Sequence, residues 1–486
     1  NKMHFNLVLS VKEIEKALNF QKLDIEFAVD INSKVHIFQV RPISTKNTYI
    51  DKGSLKINKL INYNLFKYKN KSKIRKISSN FYSDMSDWNP AEIIGVKPKP
   101  LSYSLYKYLI TDRTWSAQRF AAGFEDLREF NLLTDFVGKP YVDLYLSLKS
   151  FVPRDLNPKI KHKLLYAYLD IFNKKPFLHD KIEFEIAFTC WTPNFLNEAK
   201  SRLSPYGFNL NEIISIEKEL KKITLNAIRS LDSYVERSNQ LENKRKNIIK
   251  NYSGLKKIFL LINDCKKYGT YSFCHVARAG FIAISFLNYF SEKEILSSKR
   301  ITQFYKSLNT ITQTFNMDIL KLKNNEISIS KIISKYGHLR PGTYEIENKA
   351  YWENLNYFNF SKNNLDSKKI EINPNFKLNK IEKKLIGQVF KDLNSSLKAD
   401  EIISFIVKSI KSREYVKFDF SKNISLCLDE IVKYGEKFNI KREDLSYLKI
   451  KDLKNNAKNP LYNKIEKRKQ IYKTHSLIEM PQIILS

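Results

Sequence analysis

The chain is short of cysteine, of long apolar runs and of acid, and each shortage removes a class of protein. Four Cys (Cys190, Cys265, Cys274 and Cys427) in 486 residues form no CxxC pair and are too sparse for a disulfide scaffold. A reducing, cytoplasmic setting is the expectation. The longest apolar stretch, Phe281 to Phe290 (FIAISFLNYF), falls short of the roughly 20 residues that cross a bilayer. It reads as a buried helix, and no membrane partner is expected. The N-terminal lysines are followed by Glu13 and Glu15 rather than by the apolar core of a signal peptide.

Acidic residues number 51 against 84 Lys and Arg, a formal charge of +33. Only 16 of the 84 are Arg, and the surplus Lys travels with Asn and Ile along the whole chain, as in an AT-rich coding sequence. A nucleic-acid footprint clusters its arginines and interleaves them with aromatics. The densest basic run, Lys67 to Lys76 (KYKNKSKIRK), reads as a solvated linker, and no nucleic-acid partner is expected.

What is present argues for burial. Hydrophobic residues make up 43% of the chain, with 32 Phe and 27 Tyr, so disorder throughout is excluded and the length allows two or three cores. Helical spacing over residues 11–19 leads into two alternating segments, Asp24 to Asp30 (DIEFAVD) and Val35 to Arg41 (VHIFQVR), a predicted hairpin. Beyond Pro42 the composition turns to Lys, Asn, Ser and Tyr, a linker. From Phe81 onward the pattern is chiefly helical. Helices are predicted over Glu212 to Arg229, Asp232 to Lys257, Asp400 to Lys411 and Ile424 to Phe438, with one strand at Tyr141 to Leu148 (YVDLYLSL).

Pairing Asp30 with Val35 sets the hairpin's register and places Glu26 opposite Gln39 and Asp24 opposite Arg41. Directly opposed residues share a face. One face then carries Asp24, Arg41, Glu26 and Gln39; the other, dry face carries Ile25 with Val40 and Phe27 with Phe38. A carboxylate beside an amide oxygen suits a Mg²⁺ that keeps several waters and bridges phosphate oxygens, and a guanidinium one pair along suits a phosphate. The bland alternative is a hairpin with one wet face and an ordinary Asp24 to Arg41 ion pair.

DIEFAVD followed by VHIFQVRPIS resembles the closing hairpin of the ATP-grasp nucleotide-binding domain in the pyruvate phosphate dikinase and phosphoenolpyruvate synthase family, where a D-I-E-[WF] strand precedes a Q-x-R-P strand. The resemblance covers about residues 10 to 44. It implies that Glu26 and Gln39 coordinate the metal and that Arg41 contacts nucleotide phosphate, with ATP and Mg²⁺ as cofactors. A second segment, Tyr336 to Ile346 (YGHLRPGTYEI), is similar to the G-H-x-x-P-G-x-x-[DE] signature in the middle region of phosphoenolpyruvate-synthase-like proteins and rifampicin phosphotransferases. Gly337 and Pro341-Gly342 form a turn that can present His338, Arg340 and Glu345 to a polar or anionic substrate, or simply a structural turn. Trp88-Asn89-Pro90-Ala91-Glu92 and the segment ending in REDLSYLKI resemble the same group more weakly.

In that family phosphate moves from ATP to a histidine in a G-G-x-x-S-H-like context and then to an acceptor. None of the seven His residues has that context, so no catalytic residue is expected in this chain. The resemblance therefore implies an internal fragment, in the domain order of rifampicin phosphotransferase, whose partners are the rest of the ATP-grasp domain, a phosphohistidine domain and a small-molecule acceptor, for which pyruvate is one candidate.

The expected fold is mainly α (α+β): the terminal hairpin of an ATP-grasp domain (1–46), a linker (47–80), a large helical middle domain (81–365) and a helical connector (366–486). The expected function is part of an ATP-dependent phosphotransferase, inactive alone. The alternative is a non-enzymatic helical interaction or anion-binding protein. Elsewhere, His275 and Arg278 share a helical face and are expected to satisfy one another in the core.

Overall fold

A computed structural model describes residues 2–18, 23–30, 33–42, 81–358, 376–393, 397–454 and 458–484. The linker expected over 47–80 lies outside the described residues.

The amino end forms a small unit. Helix α1 (Lys2–Leu18) precedes strands β1 (Leu23–Val29) and β2 (Val35–Pro42), which pair antiparallel. Asp30 closes the turn: its backbone exchanges bonds with Lys34 and Ser33, and its carboxylate accepts from Lys34 N at 2.9 Å. Asn6 on α1 donates to Ser33 O at 2.9 Å. Side-chain capping by Asp is what makes a short turn pay its entropy.

The rest is mainly helical, with one small antiparallel sheet. Its strands β3 (Tyr82–Ser83), β4 (Leu133–Phe136), β5 (Lys139–Asp143) and β6 (Ile483–Ile484) lie in the order β4-β5-β3-β6, so Ile483 and Ile484 are stitched to Tyr82 and Ser83. Lys139 reinforces the seam. It pairs with Asp84 at 2.7 Å and donates to the carbonyls of Met480 and Pro481.

The helices used below are α2 (Pro90–Ile94), α3 (Thr114–Ala122), α4 (Leu144–Lys149), α5 (Leu210–Asn251), α6 (Gly254–Asp264), α7 (Tyr271–Glu292), α8 (Ile329–Tyr336), α9 (Ala399–Glu436) and α10 (Lys458–Ser476). Helix α5 begins at a capping box, in which Asn209 and Glu212 satisfy each other's backbone N–H groups. It buries Ile213, Ile216, Leu220, Ile223, Ala227, Leu231, Leu241 and Ile248, a stripe at three- and four-residue spacing. Helix α6 runs through a wider π-type turn, Cys265–Thr270, into α7. At that turn Gly269 faces α9, where an added Cβ would stand 2.5 Å from Phe420 Cβ, so only glycine permits this approach. Helices α5, α6, α7 and α9 enclose a continuous apolar core to which residues on both sides of 365 belong, from Phe81 to Ile465. The stretch Gly254–Glu292 is long and apolar enough to cross a membrane, and most of its apolar window is buried inside the protein.

Three expectations are corrected. The segments 212–229 and 232–257 are not two helices: α5 runs unbroken through Ser230 and Leu231, which carry the buried stripe onward, and the break comes at Tyr252 and Ser253. The segments 400–411 and 424–438 are likewise not two helices: α9 runs unbroken between them, for want of any Pro or Gly, and ends at Glu436. The strand expected at 141–148 stops at Asp143, whose carboxylate caps the N-terminus of α4 by accepting from Leu146 N at 3.3 Å. Alternation alone does not separate a strand from a buried helix when the segment is apolar on both sides.

Candidate functional site

The hairpin keeps the predicted register where the acidic and basic residues lie. Asp24 opposes Arg41, Ile25 opposes Val40 and Glu26 opposes Gln39. The side chains of Asp24, Gln39 and Arg41, and with them the polar face expected from the sequence, lie outside the described residues. Past Glu26 the register shifts by one: Phe27 opposes Ile37 and Val29 opposes Val35, leaving Phe38 as the extra residue of a bulge. The expected pairings of Asp30 with Val35 and Phe27 with Phe38 are thereby corrected, because Asp30 is spent on the turn. The dry face is also only half dry. Ile25 and Val40 are half-buried, whereas Phe27 is exposed and Phe38 is 70% exposed. Glu26 lies on the solvent side.

A carboxylate and an amide oxygen on adjacent strands fit Mg²⁺, which takes hard oxygen ligands and retains waters. Among the described residues no three His, Cys, Asp or Glu side chains converge into a metal cage.

The turn after α8 gathers partners of a different kind. Gly337 ends the helix where a Cβ would meet Ile333 O at 2.5 Å and the Trp352 ring at 3.0 Å. His338 is buried, with Nε2 3.1 Å from Phe418 O and its ring edge-on to Phe418. Desolvation, then the Lys422 charge, lowers its pKa to about 3, so the imidazole is neutral. Arg340 donates through Nε to Ser425 Oγ at 2.9 Å, and to Asn348 O, Ser425 O and the Asp429 carboxylate. Asp429 also accepts from Trp352 Nε1 at 3.0 Å. Glu345 faces another way, toward Ser102, Glu347 and Lys99, and burial raises its pKa to about 7. The structure thus brings His338 and Arg340 together against α9 and sends Glu345 to the opposite side. The cavity lined by His338, Leu339, Arg340, Thr343 and Ser421 has about 30 Å³, room for one water.

A third constellation was not singled out by sequence. The segment before α2 holds Asp87 and Asn89 in the left-handed region, at φ 55° and 33°. Asn89 caps α2 with Pro90 in the first turn, and Asp87 meets Arg119 of α3 in a two-pronged ion pair at 2.5 and 2.9 Å. Ser147 of α4 donates to Asp87 at 2.7 Å, and Arg119 also reaches Ser150. Glu183, on a π-type turn over Ile182–Ile186, stands 3.9 Å from Arg119. Its pKa is pushed up to about 8 by burial and by Asp87, against the pull of Arg119, Arg278 and Arg413.

Arg278 of α7 completes the group. Its guanidinium lies 4.4 Å from the Phe124 ring centre and 5.9 Å from that of Phe151, and donates to Thr189 O at 3.3 Å. The expected mutual satisfaction of His275 and Arg278 is corrected. His275 turns instead to Gln118 and Ser230 and stacks on Tyr234 at 3.8 Å, because α3 and α5 offer it neutral partners. Its pKa is lowered to about 3 by desolvation and then by Arg278, which repels its charged form.

No protein-family model matches the chain, and no curated protein matches it either.

Proposed function

We propose that this chain is part of an ATP-dependent phosphotransferase resembling phosphoenolpyruvate synthase and pyruvate phosphate dikinase, with its β1–β2 hairpin contributing to the nucleotide site. The observation that carries this reading is the register of Glu26 with Gln39 and of Asp24 with Arg41, on strands whose sequence matches the D-I-E-[WF] and Q-x-R-P pattern. Glu26 and Gln39 would hold Mg²⁺, which when bound neutralises charge on the nucleotide phosphates. Arg41 would grip a phosphate through its forked donors. Phosphate would then leave for a histidine carrier outside this chain and for a small-molecule acceptor of the pyruvate kind, in a cytoplasmic setting.

The test is acid-labile phosphohistidine formed from ATP and Mg²⁺ by the polypeptide of the complete reading frame. Glu26→Gln keeps size and removes the charge that Mg²⁺ requires, so labelling is expected to fall at least tenfold, the scale of a lost metal ligand or its support. Equal labelling of the variant removes the metal role, and an unlabelled parent protein removes the phosphotransfer reading.

A second reading, a non-enzymatic anion-binding helical protein, is favoured by the buried arginines alone.

A further inference from the structure

Four arginines are buried among the described residues: Arg119, Arg245, Arg278 and Arg340. A guanidinium carries five donors and stays charged in the core, so it needs acceptors there. Three of the four have a carboxylate in contact: Arg119 has Asp87, Arg245 has Asp419 at 2.7 Å, and Arg340 has Asp429. Arg278 has none. It is 7% exposed, its Nε has no partner, and its one hydrogen bond is the long one to Thr189 O. Even with its pKa lowered to about 10 by desolvation and by Arg119, it is a cation at neutral pH.

The surroundings supply the rest of a site. The Phe124 and Phe151 rings, packed edge-to-face on each other at 6.2 Å, line one side of the guanidinium. Trp115, 5.3 Å from the Arg119 guanidinium, has an unpartnered Nε1. Glu183 has no hydrogen-bond donor at its carboxyl among the described residues, and its side chain keeps 14% exposure, so the cluster reaches solvent there. Beside that opening Phe184 packs on Phe281, and the exposed Arg413 lies 5.5 Å from the Phe281 ring centre. The arrangement runs from an exposed cation at the rim to a partly exposed acid and then to a buried cation with an open donor.

We infer that Arg278 and Glu183 form a binding site for the oxyanion of a small molecule, a carboxylate or a phosphate, entering past Arg413 to reach the Arg278 guanidinium. Arg278 supplies the charge-assisted hydrogen bonds. Glu183, when protonated, supplies one more donor. The site stands whether or not the hairpin binds nucleotide.

The titratable and charged groups that face Glu183 are Asp87, Arg119, Arg278 and Arg413, and those that face Arg278 are Arg119, Glu183, Asp87 and the neutral thiol of Cys190. Deprotonating Glu183 adds a negative charge beside the incoming anion. Binding therefore tightens as pH falls through about 8, by roughly ten- to hundredfold for one charge at this range.

The experiment is calorimetric titration of the whole chain, without ATP, using sodium phosphate and separately sodium lactate, above and below that pH. Saturable binding of either probe that tightens at the lower pH supports the site, and the tighter probe names the head group. Arg278→Met is expected to weaken it at least tenfold, and Glu183→Gln to hold the tight form at both pH values. No saturable binding of either probe overturns the site, as does binding that survives Arg278→Met. If that variant fails to fold, Glu183→Gln decides: a pH dependence equal to that of the parent chain places the anion elsewhere and overturns the assignment.

Discussion

The turn after α8 and the Arg278 cluster are built from the same residue types, buried arginine, histidine and glutamate, yet their hydrogen bonding differs. At the turn, Arg340 reaches Ser425, Asn348 and Asp429, and Asp429 is held again by Trp352. Every strong donor there has an internal acceptor, and the remaining cavity fits one water. Beside α7, Arg278 keeps an open donor and Glu183 an unbonded carboxyl. A polar group satisfied inside the chain is structural by default, and one left unsatisfied in the core calls for something the chain does not supply. By that criterion the segment with the more recognisable sequence is the clasp, and the less recognisable one is the candidate site.

Removing the satisfied arginine gives the largest effect. Arg340→Met deletes four hydrogen bonds at a side chain only 1% exposed and leaves the Asp429 carboxylate with Trp352 but without its counter-charge. Breaking one side of a buried ion pair costs about 3–5 kcal/mol. Urea denaturation is expected to show a loss of that size, and a loss below about 1 kcal/mol puts the clasp among surface ion pairs and dissolves the contrast.

Each region also buries a neutral imidazole, His338 in the clasp and His275 beside Arg278, with pKa lowered to about 3 in both. The unfolded value is about 6.5, so the native state binds fewer protons than the unfolded one as pH falls. Their contribution is intact above about 6.5 and drains away toward about 3, at about 2 kcal/mol per imidazole by pH ~5. His338→Gln, which can keep the bond to Phe418 O, is expected to remove that imidazole's own share, about 2 kcal/mol by pH ~5. An unchanged slope of unfolding free energy against pH assigns the acid loss to other groups.

How much of this was legible follows from sequence distance. The hairpin's register from Asp24 to Glu26 could be read because its pairing is local; the bulge at Phe38 could not, since it depends on Asp30 being drawn into the turn. Helix α5 was legible from Glu212 by its apolar spacing, while its continuity past Arg229 turned on Leu231 packing inward. Asn89, Pro90 and Glu92 spell a helix start, but nothing local says that Asp87 stands in the left-handed region to meet Arg119. The Arg278 cluster draws on α3, α4, the turn at Glu183 and α7, joined only by the tertiary fold. His275 and Arg278 could be placed on one face from their spacing, but their partners could not, because those come from other helices.

The finest test exchanges the unsatisfied arginine. In anion-free buffer Arg278→Met gives up one long hydrogen bond to Thr189 O and contacts with two aromatic rings. The thioether keeps much of that contact, since sulfur packs well against rings, and desolvation of a charge no longer has to be met. Replacing buried charge by an apolar side chain of similar volume is often neutral or stabilising, so the midpoint of unfolding is expected to correspond to a change within about 1 kcal/mol of the parent chain, or to a gain. Glu183 loses little, because near neutral pH it is protonated and owes no charge pairing to Arg278. A loss as deep as that of Arg340→Met means Arg278 is held by contacts as strong as those of the clasp. The two regions then no longer differ in kind, and the open donor is a packing compromise rather than a place for a ligand.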